Sequence, residues 1–159
     1  MERRECSLDT TTYNSLINGL LRANKVSKAL AMLAHMEKWG CPPDIVTYSS
    51  LIKGLLKDNK VDKAFHMLTD MEKRGCTLTI VTYNSLIDGL LKANEVDKAL
   101  DMLFEMERRE CNPDMITFNS LINGLLKANE VSKALAMLAH MEKRETTFPD
   151  LVTYNVFFT

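Results

Sequence analysis

A unit of 35 residues is repeated four times along this chain with little change. The first copy carries Tyr13-Asn14-Ser15-Leu16-Ile17, and equivalent segments begin at Tyr48, Tyr83 and Phe118. A fifth copy opens at Tyr154. A fixed period of about 20–50 residues indicates a solenoid, in which each unit packs on its neighbours. We therefore expect function to lie in a row of equivalent positions and not in a single pocket.

The composition is that of a globular chain with a real core. Hydrophobic residues make up 46% of the 159 residues, which is enough for one domain. The 20 basic and 21 acidic residues nearly cancel, so the net charge alone gives no support for a nucleic-acid partner. No apolar run approaches the roughly 18 residues of a membrane span. The start, residues 1–6, lacks the apolar core of a signal peptide and resembles residues 106–111. We expect the chain to begin and end inside a repeat.

The four cysteines, Cys6, Cys41, Cys76 and Cys111, lie one repeat apart. Packed helices are about 8–10 Å apart, whereas a disulfide needs Cα atoms within roughly 7 Å. This argument also opposes a zinc site, whose sulfurs lie about 2.3 Å from one ion. We therefore predict free, half-buried thiols, no metal and no cofactor.

Each repeat begins with an amphipathic helix. Its apolar residues follow the helical offsets 0, 3, 4, 7 and 8, and in the first copy they are Tyr13, Leu16, Ile17, Leu20 and Leu21. The preceding threonines are predicted N-caps, namely Thr12, Thr47, Thr82 and Thr117. A glycine inside each helix costs about 1 kcal/mol relative to alanine, so we expect close helix contact at Gly19, Gly54, Gly89 and Gly124.

A second helix completes each repeat. Asn24, Asn59, Asn94 and Asn129 end the first helix, because asparagine tolerates the left-handed conformation. The second helix buries Val26, Ala29, Leu30, Leu33 and Met36 in the first copy. We predict an all-α fold, a right-handed superhelical solenoid of helix-turn-helix repeats. Its predicted parts are 1–9 (the tail of a preceding repeat), 10–44, 45–79, 80–114, 115–150 and 151–159 (the start of a fifth), all in one solenoid domain.

A polar row accompanies the apolar face of every first helix. Its members are spaced by four residues, and they are Asn14, Asn18 and Arg22; Ser49, Lys53 and Lys57; Asn84, Asp88 and Lys92; and Asn119, Asn123 and Lys127. Such a row is ordinary on a solvated face. It also fits a groove in which amides meet base edges and cations meet phosphates, with one amide or hydroxyl and one cation per repeat.

The third copy resembles a pentatricopeptide repeat of the pure, 35-residue type. The resemblance is carried by the segment 81–92, then Val96-Asp97-Lys98-Ala99-Leu100 and the closing Cys111-Asn112-Pro113-Asp114, and it extends over nearly the whole chain. One departure is the asparagine of the interhelix turn, where the family usually has glycine. The resemblance implies single-stranded RNA binding with one base per repeat, and a home in a mitochondrion or plastid.

The resemblance also implies the base-selecting residues, which are the residue after the aromatic and the last residue of each unit. These pairs are Asn14 with Asp44, Ser49 with Thr79, Asn84 with Asp114, and Asn119 with Asp150. In the family, asparagine with aspartate favours uracil, so three repeats are expected to prefer U. The second pair leaves its base open, and the fourth unit has 36 residues. With the RNA running parallel to the chain, the implied site is U-N-U-U.

The family further implies residues that hold the bases and the phosphates. Aliphatic residues two before the aromatic clamp the bases, here Val46, Val81, Ile116 and Val152, with the polar Thr11 at the first such position. The cations that approach phosphates are Arg22, Lys57, Lys92 and Lys127. We expect weak binding, because only four bases are contacted.

The alternative functions are a peptide-binding repeat array, a scaffold without a ligand and an enzyme. A peptide-binding tetratricopeptide array has a period of 34 and a Trp and Gly-x-x-Tyr signature, which are missing here. A structural or designed scaffold without a ligand is favoured by residues 13–38 and 118–143, which differ at three positions. We expect no enzyme, because His35, His66 and His140 have no repeated catalytic partner.

The last segment of the sequence is apolar and is not followed by the second helix of a repeat. We therefore predict end-to-end self-association or a longer natural chain. The apolar residues are Leu151, Val152, Tyr154, Val156, Phe157 and Phe158.

Overall fold

The chain folds into helices joined by short turns. In the computed structural model, residues 8–144 and 149–155 are described, and they contain no strand. The helices are α1 (Thr10–Arg22), α2 (Val26–Lys38), α3 (Ile45–Lys57), α4 (Val61–Lys73), α5 (Ile80–Lys92), α6 (Val96–Arg108), α7 (Met115–Lys127), α8 (Val131–Glu142) and α9 (Leu151–Asn155). The chain divides into two compact units, which are Met1–Thr77 with α1–α4 and Leu78–Thr159 with α5–α9. None of the described helices is long and apolar enough to cross a membrane.

The first unit consists of the helical hairpins α1–α2 and α3–α4. Its core brings together Tyr13 and Ile17 of α1, Ala29 and Met36 of α2, and Leu51 of α3, all fully buried. Burying one such aliphatic side chain stabilises a fold by about 1.5–3 kcal/mol. The small Ala29 allows α2 to lie close against its neighbours. The predicted all-α hairpin repeats are confirmed.

The second unit repeats this arrangement with α5–α6 and α7–α8, followed by the short α9. Phe118, Leu121, Ile122 and Leu125 of α7 are fully buried, as are Leu103 and Met106 of α6. The predicted apolar face is therefore largely the observed one. Leu16 of α1 is an exception at 44% exposure, because the described residues contain no hairpin ahead of α1.

The turns between paired helices are set by asparagine. Asn24, Asn59, Asn94 and Asn129 all have φ between 57° and 61°, as predicted. In the first turn the N–H of Asn24 donates to the carbonyl of Leu21 at 3.0 Å, and the N–H of Lys25 donates to that of Leu20 at 2.8 Å. These two bonds are those of a Schellman motif, which satisfies the last carbonyls of α1.

The helix starts correct one prediction. Thr12, Thr47, Thr82 and Thr117 are not N-caps, because each lies three residues inside a helix. The N-caps are Asp9, Asp44, Thr79 and Asp114, whose side chains accept from the backbone N–H of those threonines. At Asp44 and Asp114 the threonine hydroxyl accepts the N-cap N–H in return, which is a capping box.

Two of the glycines mark close helix contact. A Cβ at Gly124 would lie 2.7 Å from both terminal carbons of Leu91, and one at Gly54 would overlap Leu21. The predicted close approach is confirmed at these positions. At Gly19 it is wrong, because within the described residues no atom from outside the helix's own backbone lies within 4 Å of the corresponding Cβ.

The cysteines differ from one another. Cys76 and Cys111 are free thiols, but Cys41 is disulfide-bonded, so the prediction of a free thiol is wrong there. The spacing of packed helices does not apply to Cys41, because α2 ends at Lys38 and Cys41 lies in the loop that follows. Cys6 lies outside the described residues, as do residues 146–148 of the longer fourth repeat and Val156, Phe157 and Phe158.

Candidate functional site

Asn14 of α1 lies beside the N-terminus of α3. Its Nδ2 donates to Oδ1 of Asp44 at 3.1 Å, and its Oδ1 accepts from the hydroxyl of Thr47 at 2.6 Å. The three side chains form one hydrogen-bonded cluster, although Asn14 and Asp44 are 30 residues apart. Asn14 and Asp44 are half-buried and Thr47 is fully buried. The two residues of the first predicted pair are therefore in direct contact.

The carboxylate decides the orientation of the asparagine amide. An ionised carboxylate only accepts hydrogen bonds, so the amide atom next to Asp44 has to be the nitrogen. The oxygen then faces Thr47. One Nδ2 hydrogen and one lone pair of Oδ1 remain for a ligand. This half-buried amide thus presents a donor and an acceptor in a fixed order.

The second unit contains the same cluster at Asn84 and a similar arrangement at Asn119. Asn84 donates to Asp114 at 3.3 Å and accepts from Thr117 at 2.6 Å. In the fourth repeat the hydroxyl of Thr153 donates to Oδ1 of Asn119 at 2.7 Å, and Asp150 accepts from the Thr153 N–H at 2.8 Å. Asp150 thus takes the position equivalent to Asp114, despite the extra residue of this repeat.

The remaining predicted pair consists of Ser49 and Thr79, which belong to different units. Ser49 lies half-buried on α3. Thr79 is exposed and caps α5, where its hydroxyl accepts from the N–H of Thr82 at 3.4 Å.

Hydrogen bonds lower the pKa values of Asp44 and Asp114. Burial raises the pKa of Asp44, but hydrogen bonds from the Thr47 N–H and from the Asn14 and Thr47 side chains outweigh it, so the pKa lies below its usual value. At Asp114 the opposing causes are burial and hydrogen bonds from Thr117 and Asn84, and the pKa is again lowered. Both carboxylates are therefore ionised at neutral pH, as the amide orientation requires.

The predicted clamp residues lie on the surface next to the clusters in sequence. Val46, Val81 and Ile116 are 48%, 70% and 64% exposed, and the polar Thr11 is also exposed. Apolar side-chain area that stays in contact with water does not stabilise the fold. The side chain of Val152 lies outside the described part of the structure.

The predicted cations line clefts between neighbouring first helices. In the first unit, a cleft of about 320 Å³ is bordered by Arg22 of α1 and by Lys53 and Lys57 of α3. In the second unit, a cleft of about 270 Å³ is bordered by Lys92 and Lys127, together with Asp88. The Lys92 ammonium lies 2.7 Å from the Asp88 carboxylate. The first cleft is consequently the more positive of the two.

The role of Thr47, Thr117 and Thr153 was not predicted from the sequence, which indicated only helix caps at such threonines. In the structure, the threonine hydroxyl joins the asparagine of one repeat to the aspartate that ends it. The available signal was the recurring Asp-x-x-Thr spacing at 44–47, 114–117 and 150–153. This spacing is typical of a reciprocal cap, which holds both side chains in place.

The repeats match a known protein family. The sequence profile of the PPR repeat family, the pentatricopeptide repeats, matches residues 8–57, 43–90, 78–127 and 113–159. The chain belongs to the PPR repeat family. A search of curated protein sequences found no match.

Solved PPR structures are similar to the chain in fold. PPR10 in complex with an 18-nt psaJ RNA element superimposes with a TM-score of 0.82 at 27% identity, over 94% of this chain and 22% of PPR10. PPR10 from maize superimposes with a TM-score of 0.78 at 22% identity, over 96% of this chain and 21% of PPR10. The PPR domain of Arabidopsis thaliana protein-only RNase P 1, in complex with tRNA, gives 0.69 and 18%, over 95% of this chain and 79% of that domain. The chain spans about a fifth of the length of PPR10.

Proposed function

We propose that this chain binds single-stranded RNA, reads one base per repeat and prefers U-N-U-U. The observation that carries the proposal is the recurring amide held against a carboxylate, as in Asn84 with Asp114 at 3.3 Å. Membership of the PPR family supports RNA as the ligand, as does the similarity to PPR10 solved with RNA. The proposed function is binding, with no catalytic step.

The free atoms of the amide match uracil. The Watson–Crick edge of uracil has one N–H donor between two carbonyl acceptors. The second Nδ2 hydrogen of Asn84 donates to a carbonyl, and the remaining lone pair of its Oδ1 accepts the N–H. Cytosine has an unprotonated ring nitrogen at that place, so the same amide loses one hydrogen bond. A site left with an unpaired polar group discriminates strongly.

The exposed aliphatic residues give the base a surface to pack on. Ile116 and Val46 are about half exposed or more, in the first turn of α7 and α3. Contact with a base removes that apolar area from water. Thr11 offers less apolar surface, so we expect the first base to be held less firmly than the others.

The cations of the clefts meet the backbone of the RNA. Arg22 and Lys57 border one cleft, and Lys92 and Lys127 border the other. Four phosphate contacts to a single strand correspond to a slope of about −3 for log K against log salt concentration.

The proposal is tested by titrating labelled U-rich, A-rich and C-rich oligonucleotides at two ionic strengths. We expect the U-rich strand to bind most tightly, and all affinities to fall with salt. The double variant N84A/N119A should lose the preference for U, while K28A, an exposed site on α2 away from both clefts, should keep it. Equal binding of the three strands would refute the base preference, and the absence of binding would identify the chain as a scaffold instead.

We also propose that copies of the chain associate end to end. Val131 and Leu135 on α8 are 47% and 51% exposed, whereas the equivalent Val26 of α2, in a unit where another hairpin follows, is only 6% exposed. A first helix of a second copy would cover the α8 surface in the same way. Light scattering across a concentration series tests this, and V131E/L135E should give a monomer. A parent chain that is monomeric at every concentration contradicts it.

A further inference from the structure

We propose that Thr47, Thr117 and Thr153 are positioning residues, which hold the base-reading amide in one orientation. Each reading site is thereby completed by the first turn of the next repeat. The inference rests on the proposed function, since it concerns how the same site selects its base.

The hydroxyl of Thr117 accepts one hydrogen bond through its oxygen and can donate its hydrogen to Asn84. Its oxygen accepts the N–H of Asp114 at 3.2 Å. Its single hydrogen has two acceptors in reach, Oδ1 of Asn84 at 2.6 Å and Oδ1 of Asp114 at 2.9 Å. The closer acceptor is the asparagine, and Asp114 already receives the Thr117 N–H at 2.9 Å. Thr47 has the same four contacts, at 3.1, 2.6, 2.9 and 2.9 Å.

Burial makes this contact decisive for the amide. Thr47, Thr117 and Thr153 are all fully buried, and their asparagine partners are half-buried. The terminal torsion of asparagine is intrinsically broad, so packing alone does not fix it. Carboxylate and hydroxyl together hold both ends of the amide, and without the hydroxyl only the nitrogen end is held.

The fourth repeat provides an independent observation. Its extra residue changes the spacing from Asn119 to the threonine to 34, compared with 33 in the other two clusters. The hydroxyl still lies 2.7 Å from Oδ1 of Asn119. The contact therefore persists where the loop length does not enforce it.

Thr12 is a natural control. It occupies the same position in α1, where its N–H donates to Oδ1 of Asp9 at 2.7 Å, but within the described residues it meets no asparagine. A valine at Thr12 removes the hydroxyl of a helix start and leaves the amide clusters unchanged.

The experiment compares T117V, T117S and T12V with the parent chain, on U-rich strands that carry U or C at the third base read. We expect T117V to reduce the preference for U at that base by fivefold or more, T117S to restore it to within twofold, and T12V to leave it unchanged. Retention of the preference in T117V, or equal weakening on both strands, would overturn the inference. A parent chain without any preference at that base contradicts the proposed function itself.

A measurement without RNA distinguishes failure of the positioning role of Thr117 from failure of the proposed RNA binding. The side-chain amide protons of Asn84 are expected to be distinct and slow to exchange by NMR in the parent chain, and to exchange faster in T117V. Identical exchange in both proteins would overturn the inference even if RNA binds as proposed. T47V, observed at Asn14, replaces T117V should the latter fail to fold.

Discussion

The Nδ2 of Asn14 lies 3.1 Å from Oδ1 of Asp44, so the first helix of one repeat is bonded to the cap of the next. The same relation joins Asn84 to Asp114. It places a recognition group and a structural group in one hydrogen-bonded cluster. Mutations can separate the effect on base recognition from the effect on helix capping. Asp9 and Thr12 serve as controls, because they form a helix cap that involves no asparagine within the described residues.

Substitution D114N should weaken the base preference and leave the fold intact. Asparagine caps a helix about as well as aspartate, so the stability should change by less than about 0.5 kcal/mol. Its side chain both donates and accepts, and therefore no longer dictates the orientation of Asn84. We expect about tenfold weaker discrimination between U and C at the third base, equal to about 1.4 kcal/mol. D9N serves as the control, because among the described residues the Asp9 cap contacts Thr12 and has no asparagine partner. Unchanged discrimination in D114N would refute the role of the carboxylate.

The aspartates should also make the fold sensitive to acid. Their pKa values in the folded chain lie below the unfolded value of about 3.9. Such groups stabilise the fold fully above the unfolded pKa, and this stability is lost as the pH falls from about 4 through the folded pKa. Urea unfolding at pH 7 and pH 3 should show a smaller loss for D44N/D114N than for the parent chain.

Glu105 is another carboxyl group with a lowered pKa, and it requires its own control. Hydrogen bonds from Arg108 and Arg109 lower its pKa to about 2. The pH comparison is therefore made between variants and not on the absolute loss, and E105Q is measured alongside. If D44N/D114N and the parent chain lose equal stability, the aspartates are not the acid-sensitive groups.

The glycines should respond to alanine in opposite directions. At Gly19 the added methyl meets none of the described residues, so G19A should stabilise the chain by up to about 1 kcal/mol through helix propensity. At Gly124 the methyl would press on Leu91, with the nearest atoms at 2.7 Å, and overpacking of this kind costs about 1–3 kcal/mol. Thermal unfolding of the two variants measures both effects. A stabilising G124A would show that Leu91 moves aside freely.

Glu110 holds a backbone conformation that disfavours its side chain. Its φ is 58°, whereas Gly40 and Gly75 occupy the equivalent positions at 73° and 77°. The left-handed conformation costs an ordinary residue about 1–2 kcal/mol, so E110G should raise the melting temperature. The reverse change G75E should lower it. Opposite signs would mean that side-chain contacts of Glu110 outweigh the backbone.

The repeat period and the periodicity within it predicted the helices, because both depend on the local spacing of apolar residues. The left-handed turns were predicted at Asn24 and its equivalents, since asparagine favours this conformation, but Glu110 carries no such signal. The caps were placed three residues late, because threonine is a common N-cap and its reciprocal bond to Asp44 requires the aspartate to be read together with it.

The candidate site was only partly accessible from the sequence. The pairing of Asn14 with Asp44 came from the family resemblance, since a contact across 30 residues cannot be read from helical spacing. The threonine hydroxyl that links them was missed, because its contact crosses from one repeat to the next. The disulfide state of Cys41 was missed because its position in a loop escapes the rule for packed helices.

Asp44 and Asp114 are the residues on which α3 and α7 begin. Any attempt to retarget the chain to another nucleotide at these positions is confined to side chains that also start a helix well, chiefly Asp, Asn, Ser and Thr. Few amino acids are therefore suitable for engineering at these two positions, and most members of a library that used all twenty would have destabilised repeats.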